Sequence, residues 1–570
     1  MPQILIPAAM STGFSVAAAG GISSFAFLGF KAGLQSVVAS FLANAAMGYA
    51  LNALAPKPST RISSGGYGVN VNQVGSTLPT ATVYGKTKIG GAVFYQEVVE
   101  NKLLYQMIAF ADHEIDGYET IFMNDEEITE TSDGFDDNYE QVDTLLQLDG
   151  EDRDHAGFSQ YSERKGTLSQ AYVPIPNSAN NWDENHRASG IAYLAFRHEF
   201  DRDYFPNGVP VISAIVRGKK IYDPRDETTS FSNNSALCLR DYLISSGIAD
   251  EDEIDDDLFK AAANVCDEVI TTNIGGTQKR YTCNGSFTSD EAASTVINSI
   301  LATMGGMIWY QNGKWAVKAA AFTSSVLTLD EDDLRSPLSI STRNSRRDGF
   351  NQVIGIFRGA ESNYQPTNFP EVTSPFFVDT DNGKESTFEL DLPFVDNSAQ
   401  AQRIAKIALY RNREQLKISG SFGMRALQVG VGDIVKITNS RLGFTEKLFE
   451  VTEWTFGLNS EMALEVSMSL QEISSGVFEW DAEETAFESN NTSLLSPFFV
   501  PSVGFTTSNI KRVINEHVTS VLAIDVTSSN PEFIDRVEVE YNQSSTSTLF
   551  ADTWTGTLNP SLWSDTYWSF

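Results

Sequence analysis

Five histidines are the residues best suited to acid–base or metal chemistry, and they are His113, His155, His186, His198 and His517. None lies in an HExxH pattern, which places two zinc-binding histidines on one face of a helix. The pair His198-Glu199 is followed at the required position by Arg202, and a guanidinium has no lone pair to offer a metal. The sequence also contains no GxSxG, P-loop or GxGxxG motif. The histidines are therefore interpreted as polar residues of surfaces or turns.

Three carboxylate clusters could supply a paired acid and base, and they span residues 133–137, 250–257 and 330–333. They fall in loops or at predicted helix starts, which favours solvated or helix-capping roles. The stretch DTDNG at 379–383 is similar to a calcium loop, but its glycine is fifth instead of sixth and no glutamate follows at the twelfth position. The sequence therefore predicts no catalytic residue, no metal ligand and no cofactor-binding residue.

The three cysteines are Cys238, Cys266 and Cys283. They form no CxxC pair, and an odd, sparse set argues against both a disulfide scaffold and a structural zinc site.

Four cations on one predicted helix are conspicuous in an acidic chain, and they are Arg403, Lys406, Arg411 and Arg413. They could contact nucleic acid, or they could pair with carboxylates of a neighbouring domain or subunit. The chain has 40 Lys and Arg against 74 Asp and Glu, a net charge of −34, which disfavours binding to phosphates over the whole surface. Pairing with carboxylates is therefore the favoured interpretation.

The charge is distributed unevenly. No Asp or Glu precedes Glu97, and five cations do, so the remainder carries −34 − 5 = −39. Residues 1–56 contain one charge, Lys31, and are rich in Ala, Gly, Leu and Phe. This segment fits a helix buried in a large assembly, a membrane-active segment or an unstructured leader, and its small residues at every fourth position from Ser36 to Asn52 favour close helix packing.

Apolar runs alternating with turn residues predict a mostly β region at 60–225. Helices are predicted at 235–246 and 256–267, and a third, carrying Val296 to Met304, is predicted to begin at a Thr288/Glu291 capping box. Asn312-Gly313 between apolar strands predicts a hairpin. A helix at 398–415, with Ile404, Ile407 and Ala408 inward, then precedes strands at 432–438 and 462–470, the latter with alternate positions buried.

Several segments resemble the tail-tip hub family of long-tailed bacteriophages, the host-specificity protein J type of lambda-like phages, with related tail proteins of gene-transfer-agent-like particles. The resemblance lies in residues 83–91 (VYGKTKIGG), 108–117 (IAFADHEIDG), 208–225 (GVPVISAIVRGKKIYDPR), 233–243, 266–267, 281–285 (YTCNG), 346–351, 401–413 and 432–435. His113 stands where the family pattern has glycine. The matches follow the family order over about 75–480, and each is structural.

The resemblance implies an α+β, mainly β, multi-domain hub. Its parts would be an N-terminal hydrophobic helical segment (1–58), a first β-barrel-like ring domain (59–225), a helical and hairpin domain (226–345), a second ring domain (346–480), a linker (481–504) and a partial fibronectin-like module (505–570). The cysteines would be ordinary buried residues in two helices and a strand.

The resemblance further implies a non-enzymatic homotrimer at the distal tip of a phage tail in the virion. It would close the tail tube, anchor the distal tail protein, tape-measure protein, tail fibre and other tip proteins, and open for DNA ejection, with genomic DNA only passing through the lumen. Residues 14–54 could contact the host membrane. The alternatives are a tail-associated cell-wall hydrolase or membrane-perforating protein, and a secreted adhesin.

Overall fold

The computed structural model describes residues 72–74, 78–99, 102–131, 140–146, 153–154, 158–175, 182–201, 204–205, 208–273, 275–345, 348–458, 462–487, 503–514, 517–528, 536–541 and 552–557. The described residues up to 487 form one compact unit, and those from 503 onward form a second. The predicted N-terminal segment 1–58, the acidic cluster 133–137 and residues 488–502 of the predicted linker lie outside the described residues. Within those residues, no helix has the length and apolar character needed to cross a membrane.

A large sheet follows the predicted β region. The strands of this region are β1 Gln73–Val74, β2 Ala81–Tyr84, β3 Lys86–Gly90, β4 Ala92–Val99, β5 Leu103–Ala111, β6 Ile115–Met123, β7 Glu126–Thr131, β8 Glu140–Leu146, β9 Arg153–Asp154, β10 Ser159–Lys165, β11 Ala192–Glu199, β12 Ile212–Asp223 and β13 Thr228–Phe231. All of these strands except β2 form one twelve-stranded sheet. Ten of them follow the order β1-β4-β5-β11-β10-β8-β7-β6-β12-β13, while β3 pairs with β12 and β9 pairs with β8. The central strands are buried on both faces, because Ile108 and Leu194 enter one core while Met107 and Tyr193 enter another.

A helical part follows the first sheet. It contains α1 Ser235–Ser245, α2 Asp256–Asp267, β14 Val269–Thr271, β15 Thr277–Lys279, β16 Gly285–Thr288, α3 Ala293–Thr303, β17 Met307–Gln311 and β18 Lys314–Lys318. The predicted hairpin is confirmed, since Asn312 and Gly313 both have positive φ between β17 and β18. Strand β16 pairs with β2, so this part is joined to the first β region by a two-stranded sheet.

The third predicted helix begins later than the capping box suggests. Glu291 does accept a hydrogen bond from the Thr288 backbone N–H, at 3.2 Å, but α3 starts at Ala293 behind Ala292, which has no side-chain cap. The Thr288–Glu291 contact therefore closes a turn before the helix and does not cap α3.

The last part of the first unit contains two sheets. Its elements are β19 Leu327–Leu329, β20 Ser339–Ser341, β21 Gln352–Phe357, β22 Thr367–Asn368, β23 Val372–Thr373, α4 Pro375–Thr380, β24 Thr387–Asp391, α5 Ser398–Arg413, β25 Lys417–Phe422, β26 Ile434–Asn439, β27 Phe444–Leu458 and β28 Leu464–Glu472. A six-stranded sheet has the order β19-β26-β27-β28-β25-β20, and a four-stranded sheet is built around β21. Helix α5 packs on β21 and β23 with Ile404 and Ile407 buried, whereas Ala408 is only half-buried and Leu409 takes the core position.

The predicted alternation in 462–470 holds only over part of the strand. Val466, Met468 and Leu470 are buried in the sheet's core, but Met462 and Leu464 are 79% and 47% exposed. The hairpin of β27 and β28 extends beyond its neighbouring strands, because β26 pairs with β27 only up to Glu450 and β25 pairs with β28 only from Val466. The tip therefore leaves the core and exposes an apolar face.

The second unit contains two two-stranded sheets. One pairs β29 Val503–Ile514 with β30 His517–Ser528, and the other pairs β31 Arg536–Tyr541 with β32 Asp552–Thr557. Neither the first sheet nor the six-stranded sheet closes on itself within the described residues. The fold is therefore mainly β with several sheets, and barrel-like ring domains remain a prediction.

Candidate functional site

The residues with catalytic or metal-binding potential are used structurally wherever the structure describes them. His113 accepts a hydrogen bond at Nε2 from the Val83 backbone N–H at 3.0 Å, and its Nδ1 contacts the Glu114 carbonyl at 3.0 Å. This arrangement needs the neutral Nδ1–H tautomer, and burial lowers the pKa of His113, which favours the neutral ring. His198 is buried beside Ser159, and His186 closes a turn with Asp183. His155 and the side chain of His517 lie outside the described residues.

The described acidic clusters cap local structure, as predicted. Asp255 accepts a hydrogen bond from the backbone N–H of Leu258 at the start of α2, and Asp330 accepts one from Asp332 at the start of a short 3₁₀ helix. Asp381, in the stretch that is similar to a calcium loop, instead pairs with Arg413. Among the described residues, no group of three or more His, Cys, Asp or Glu side chains has metal-binding geometry.

The cysteines lie in the core of the helical part. Cys238 and Cys266 are in α1 and α2, and Cys283 lies just before β16 instead of within a strand. All three are free and buried, and burial raises the pKa of Cys238 and of Cys266, to about 12 in the latter. These thiols are therefore poor nucleophiles at neutral pH.

The motifs of the resemblance meet one another at a junction between the first β region and the helical part. Asp241 of α1 accepts hydrogen bonds from the Tyr84 hydroxyl and from Lys219, each at 2.6 Å. Arg225 binds Asp267 at 2.8 Å and thereby ties the turn after β12 to the end of α2. Tyr84 and Asp241 are 157 residues apart in the sequence and Arg225 and Asp267 are 42 apart, so specific polar pairs hold distant segments together.

Asn284 is the centre of this junction. Its Oδ1 accepts from the Lys86 backbone N–H at 2.9 Å, its Nδ2 donates to Asp396 at 2.8 Å, and its own backbone N–H donates to the Phe394 carbonyl at 2.9 Å. Gly85 approaches it closely with a φ of +61°. A Cβ on Gly85 would lie 2.2 Å from both Asn284 Oδ1 and the Cys283 carbonyl oxygen, so only glycine fits.

Lys88 makes a second connection across the same junction. Its side chain is fully buried, and its ammonium contacts Asp125 at 3.1 Å, the Asn363 side-chain oxygen at 2.9 Å and the Phe122 ring centroid at 3.7 Å. The ion pair and the amide replace the water that a buried ammonium loses. The junction therefore joins the first β region, the helical part and the residues after 345.

The cations of α5 pair inside the chain. Lys406 pairs with Glu483 at 2.6 Å, Arg411 with Glu450 and Arg413 with Asp381. Arg403 is almost fully buried, donates to the Arg280 carbonyl at 2.9 Å and lies over the Trp480 ring, and burial lowers its pKa to about 10. Pairing with carboxylates is confirmed for Lys406, Arg411 and Arg413. A neighbouring domain or subunit was expected to supply them, but Glu450 and Asp381 belong to the same predicted domain (346–480).

Residues 475–487 form a strap against α5. The Gln402 side chain donates to the Thr485 carbonyl and accepts from the Thr485 backbone N–H, both at 2.9 Å. Its amide group thus makes the same two hydrogen bonds to Thr485 that a residue of a neighbouring β-strand would make. Lys406 also donates to the Glu479 carbonyl at 3.0 Å, and Phe487 packs edge-on against Phe357. Residues 481–487, where the predicted linker begins, are therefore held against α5, because Gln402 satisfies both backbone polar groups of Thr485.

Replacing Gln402 with methionine is expected to release the strap. Gln402→Met removes both hydrogen bonds to Thr485 while keeping the volume of the side chain, at a cost of about 1–3 kcal/mol. Cleavage by a glutamate-specific protease after Glu483 and Glu484 should then accelerate by about tenfold or more. Gln428→Met, at an exposed position, is the matched control, and equal cleavage rates in the two variants would contradict the role of Gln402.

Asp396 gives the junction a pH dependence. Burial raises its pKa to about 6, against the opposing hydrogen bond from Asn284. The native state therefore binds the proton more tightly than the unfolded chain, so the free energy of unfolding falls as the pH rises from about 4 to about 6. Asp396→Asn should be more stable than the wild type by about 1–2 kcal/mol at pH 7, and this advantage should shrink as the pH falls from about 6 to about 4.

Urea unfolding at a series of pH values measures that difference. Asp379→Asn, at an exposed carboxylate, is the control and should track the wild type at every pH. An advantage of Asp396→Asn that does not change between pH 4 and 7 would show that the carboxyl is not the titrating group.

Part of the sequence matches a phage tail protein family, and the fold is similar to that of a virion protein. Residues 292–454 match the model of a family described as putative phage tail protein, Phage-tail_3, which covers less than a third of the chain. The fold is similar to that of a chain in the virion of a native gene transfer agent particle, with a TM-score of 0.54 and 14% identity over 83% of this chain and 99% of that one. No curated protein matches the sequence.

Two further solved structures show weaker similarity. They are a tail protein from Neisseria meningitidis MC58 (TM-score 0.29, 10% identity, 70% of this chain and 98% of that one) and prophage tail protein gp18 from Listeria monocytogenes EGD-e (TM-score 0.23, 11% identity, 70% and 97%). These scores are too low to indicate a shared fold. The family match and the fold of the gene transfer agent chain together support a structural protein of a phage-type tail.

Proposed function

We propose that this chain is a hub protein at the distal tip of a phage-type tail, where three copies close the tube, anchor the distal tail, tape-measure and fibre proteins, and open for DNA ejection. The observation that carries the proposal is the match of residues 292–454 to a phage tail family, within a fold similar to a gene transfer agent virion chain. The hydrogen bonds and ion pairs of the junction and of the strap hold distant segments of the chain in one arrangement. Such an arrangement suits a structural protein that anchors other tail proteins.

The charge of the chain supports this role. A surface with an excess of −39 beyond residue 96 repels DNA phosphates, so a lumen lined by it would let DNA slide without binding. The cations of α5 do not oppose this, because three of them are paired with carboxylates of the same chain.

The apolar tip of the β27–β28 hairpin supports assembly with other subunits. Phe456, Leu458, Met462 and Leu464 are all exposed and lie close together at one end of the sheet. Such a patch is typical of a protein–protein contact. In the proposed hub, the segment 1–58 would form a plug, meet the tape-measure protein or enter the host membrane.

Labelling of intact particles tests the proposal. A tag after Phe570 should appear at the distal end of the tail, and the purified chain should have the mass of a trimer by light scattering. A label along the tube or on the capsid would refute the tip position, and a monomer in assembled tails would refute the ring. Release of fragments from cell-wall material in zymography would favour the hydrolase alternative.

A further inference from the structure

The outer edge of the first sheet is open along most of β4. The edge strand β1 pairs with β4 only at Ala92 and Val93. Beyond them, residues 95–98 pair with β5 on one side, and no described residue makes a backbone hydrogen bond to them on the other. Unpaired N–H and C=O groups on a sheet edge are a template for a further strand. This open edge is therefore suited to bind an extended segment of chain.

The open edge presents a carboxylate and an apolar side chain at neighbouring positions. Glu97 accepts a hydrogen bond from the Tyr95 hydroxyl and forms no ion pair within the described residues. Val98 is 60% exposed and points to the opposite face of the sheet. Phe94, at a bulge in the same strand, is 42% exposed. A segment that matches this edge therefore carries a cation next to an apolar residue.

The cations around this edge already have partners among the described residues. Lys102 pairs with Glu199, Arg197 donates to Gln160, and Arg187 donates to the Glu184 carbonyl. The Glu97 carboxylate is thus left to pair with a cation that a docking segment brings. Because opposite charges across neighbouring strands attract and like charges repel, a cationic segment is favoured over an acidic one.

The chain itself has such a segment directly before β1. Residues 57–71 contain two charged side chains, Lys57 and Arg61, and both are positive. Arg61 is followed by Ile62, which gives a cation and an apolar neighbour. Lys57 is followed by Pro58, which has no backbone N–H to pair with a strand edge. The first of these two pairs therefore matches the open edge.

The place where the chain enters the sheet brings this segment within reach. The Asn72 side chain donates to the Ile212 carbonyl at 2.7 Å and accepts from the Ile212 backbone N–H at 2.6 Å, which fixes the entry of β1. From Ala92, beside β1, to Glu97 is about 17 Å along β4. Arg61 precedes Asn72 by 72 − 61 = 11 residues, which can span up to about 36 Å. A tether of this length gives an effective concentration on the order of 1 mM, which is enough to populate a weak contact.

We propose that the segment carrying Arg61 and Ile62 docks on the open edge of β4 in the same chain. Its guanidinium pairs with the Glu97 carboxylate, and its isoleucine covers Val98. Docking fixes the point at which the apolar residues 1–56 leave the first β region. The proposal does not rest on the position of the chain in a tail.

Hydrogen exchange on the full chain, measured at the amides of residues 95–98 that point away from β5, tests the proposal. These amides should be protected in the wild type, and Arg61→Glu should accelerate their exchange by about three- to tenfold, because it places like charges opposite each other. Adding Glu97→Arg to Arg61→Glu should restore the protection through the reversed pair. Lys31→Glu is the same charge reversal elsewhere in the N-terminal residues, and as the matched control it should leave the exchange unchanged.

Three outcomes would overturn the proposal. Exchange of these amides at the rate of an unstructured peptide would show that the edge is unoccupied. Protection that survives Arg61→Glu would identify another occupant, and protection that rises with protein concentration would identify the segment of a second copy. Because the readout is exchange on the isolated chain, loss of tip localisation in particles would leave this result unaffected.

Discussion

Gly85→Ala is expected to destabilise the first unit by about 2–5 kcal/mol. The added Cβ would lie 2.2 Å from the Cys283 carbonyl oxygen and from Asn284 Oδ1. The backbone oxygen cannot rotate away, so either β2 and β16 separate or Asn284 loses its hydrogen bond to Lys86. The left-handed φ of +61° adds about 1–2 kcal/mol to the steric cost of about 1–3 kcal/mol.

Gly247→Ala separates those two costs. Gly247 follows α1 with a φ of +69°, and nothing lies within 4 Å of the position that its Cβ would occupy. The same substitution there should cost about 1–2 kcal/mol, which is the conformational penalty alone. Hydrogen exchange at the β2–β16 pair, combined with urea unfolding, measures both variants. Equal losses in the two would show that the approach of Gly85 to Asn284 does not hold the junction.

Much of the secondary structure could be predicted from local patterns. The helices α1 and α2 and the β17–β18 hairpin follow from apolar spacing, helix-favouring ends and an Asn-Gly turn, all of which act within about ten residues. The alternation at 462–470 gave the correct buried face in its second half. It could not reveal that Met462 and Leu464 are exposed, because that depends on where the distant strands β25 and β26 end.

The junction was less predictable, because its partners are far apart in the sequence. Asn284 contacts Lys86 and Asp396, which lie 198 and 112 residues away. The resemblance identified the motifs that contain Gly85, Asn284 and Asp241, but no local pattern indicates that they touch. Asp396 and the strap at 475–487 were missed, since a half-buried carboxylate and an irregular segment carry no periodic signal. The one local indication of the junction is Asn284 itself, a polar residue placed directly before the buried strand β16.

A common principle connects these sites. The first unit has several sheets and helical segments, and its long-range connections are made by polar side chains that satisfy backbone groups of a distant segment: Asn284, Gln402 and His113 each do so. Such contacts are geometrically exact, so they fix one arrangement where apolar packing alone would tolerate several.

Glu450→Gln is expected to destabilise the first unit by about 3–5 kcal/mol. Glu450 is almost fully buried, and its two oxygens contact Arg411 of α5 and Lys318 of β18, the latter at 3.1 Å. The side chains of Arg411 and Lys318 are only 14% and 17% exposed, and burial lowers the pKa of Arg411 to about 10. Neutralising the carboxylate leaves two enclosed cations without a counter-charge, which is the costly way to break a buried pair.

Glu446→Gln provides the matched control, because Glu446 pairs with Lys436 on the same sheet but is largely exposed. That variant should be close to the wild type in stability, since water replaces an exposed partner. Adding Lys318→Met to Glu450→Gln should recover part of the loss, because only one unpaired cation then remains. Urea unfolding measures the free energy of unfolding of the three variants. If Glu450→Gln and Glu446→Gln are equally stable, the carboxylate is not what joins α5, β18 and the six-stranded sheet, and apolar packing alone must hold them.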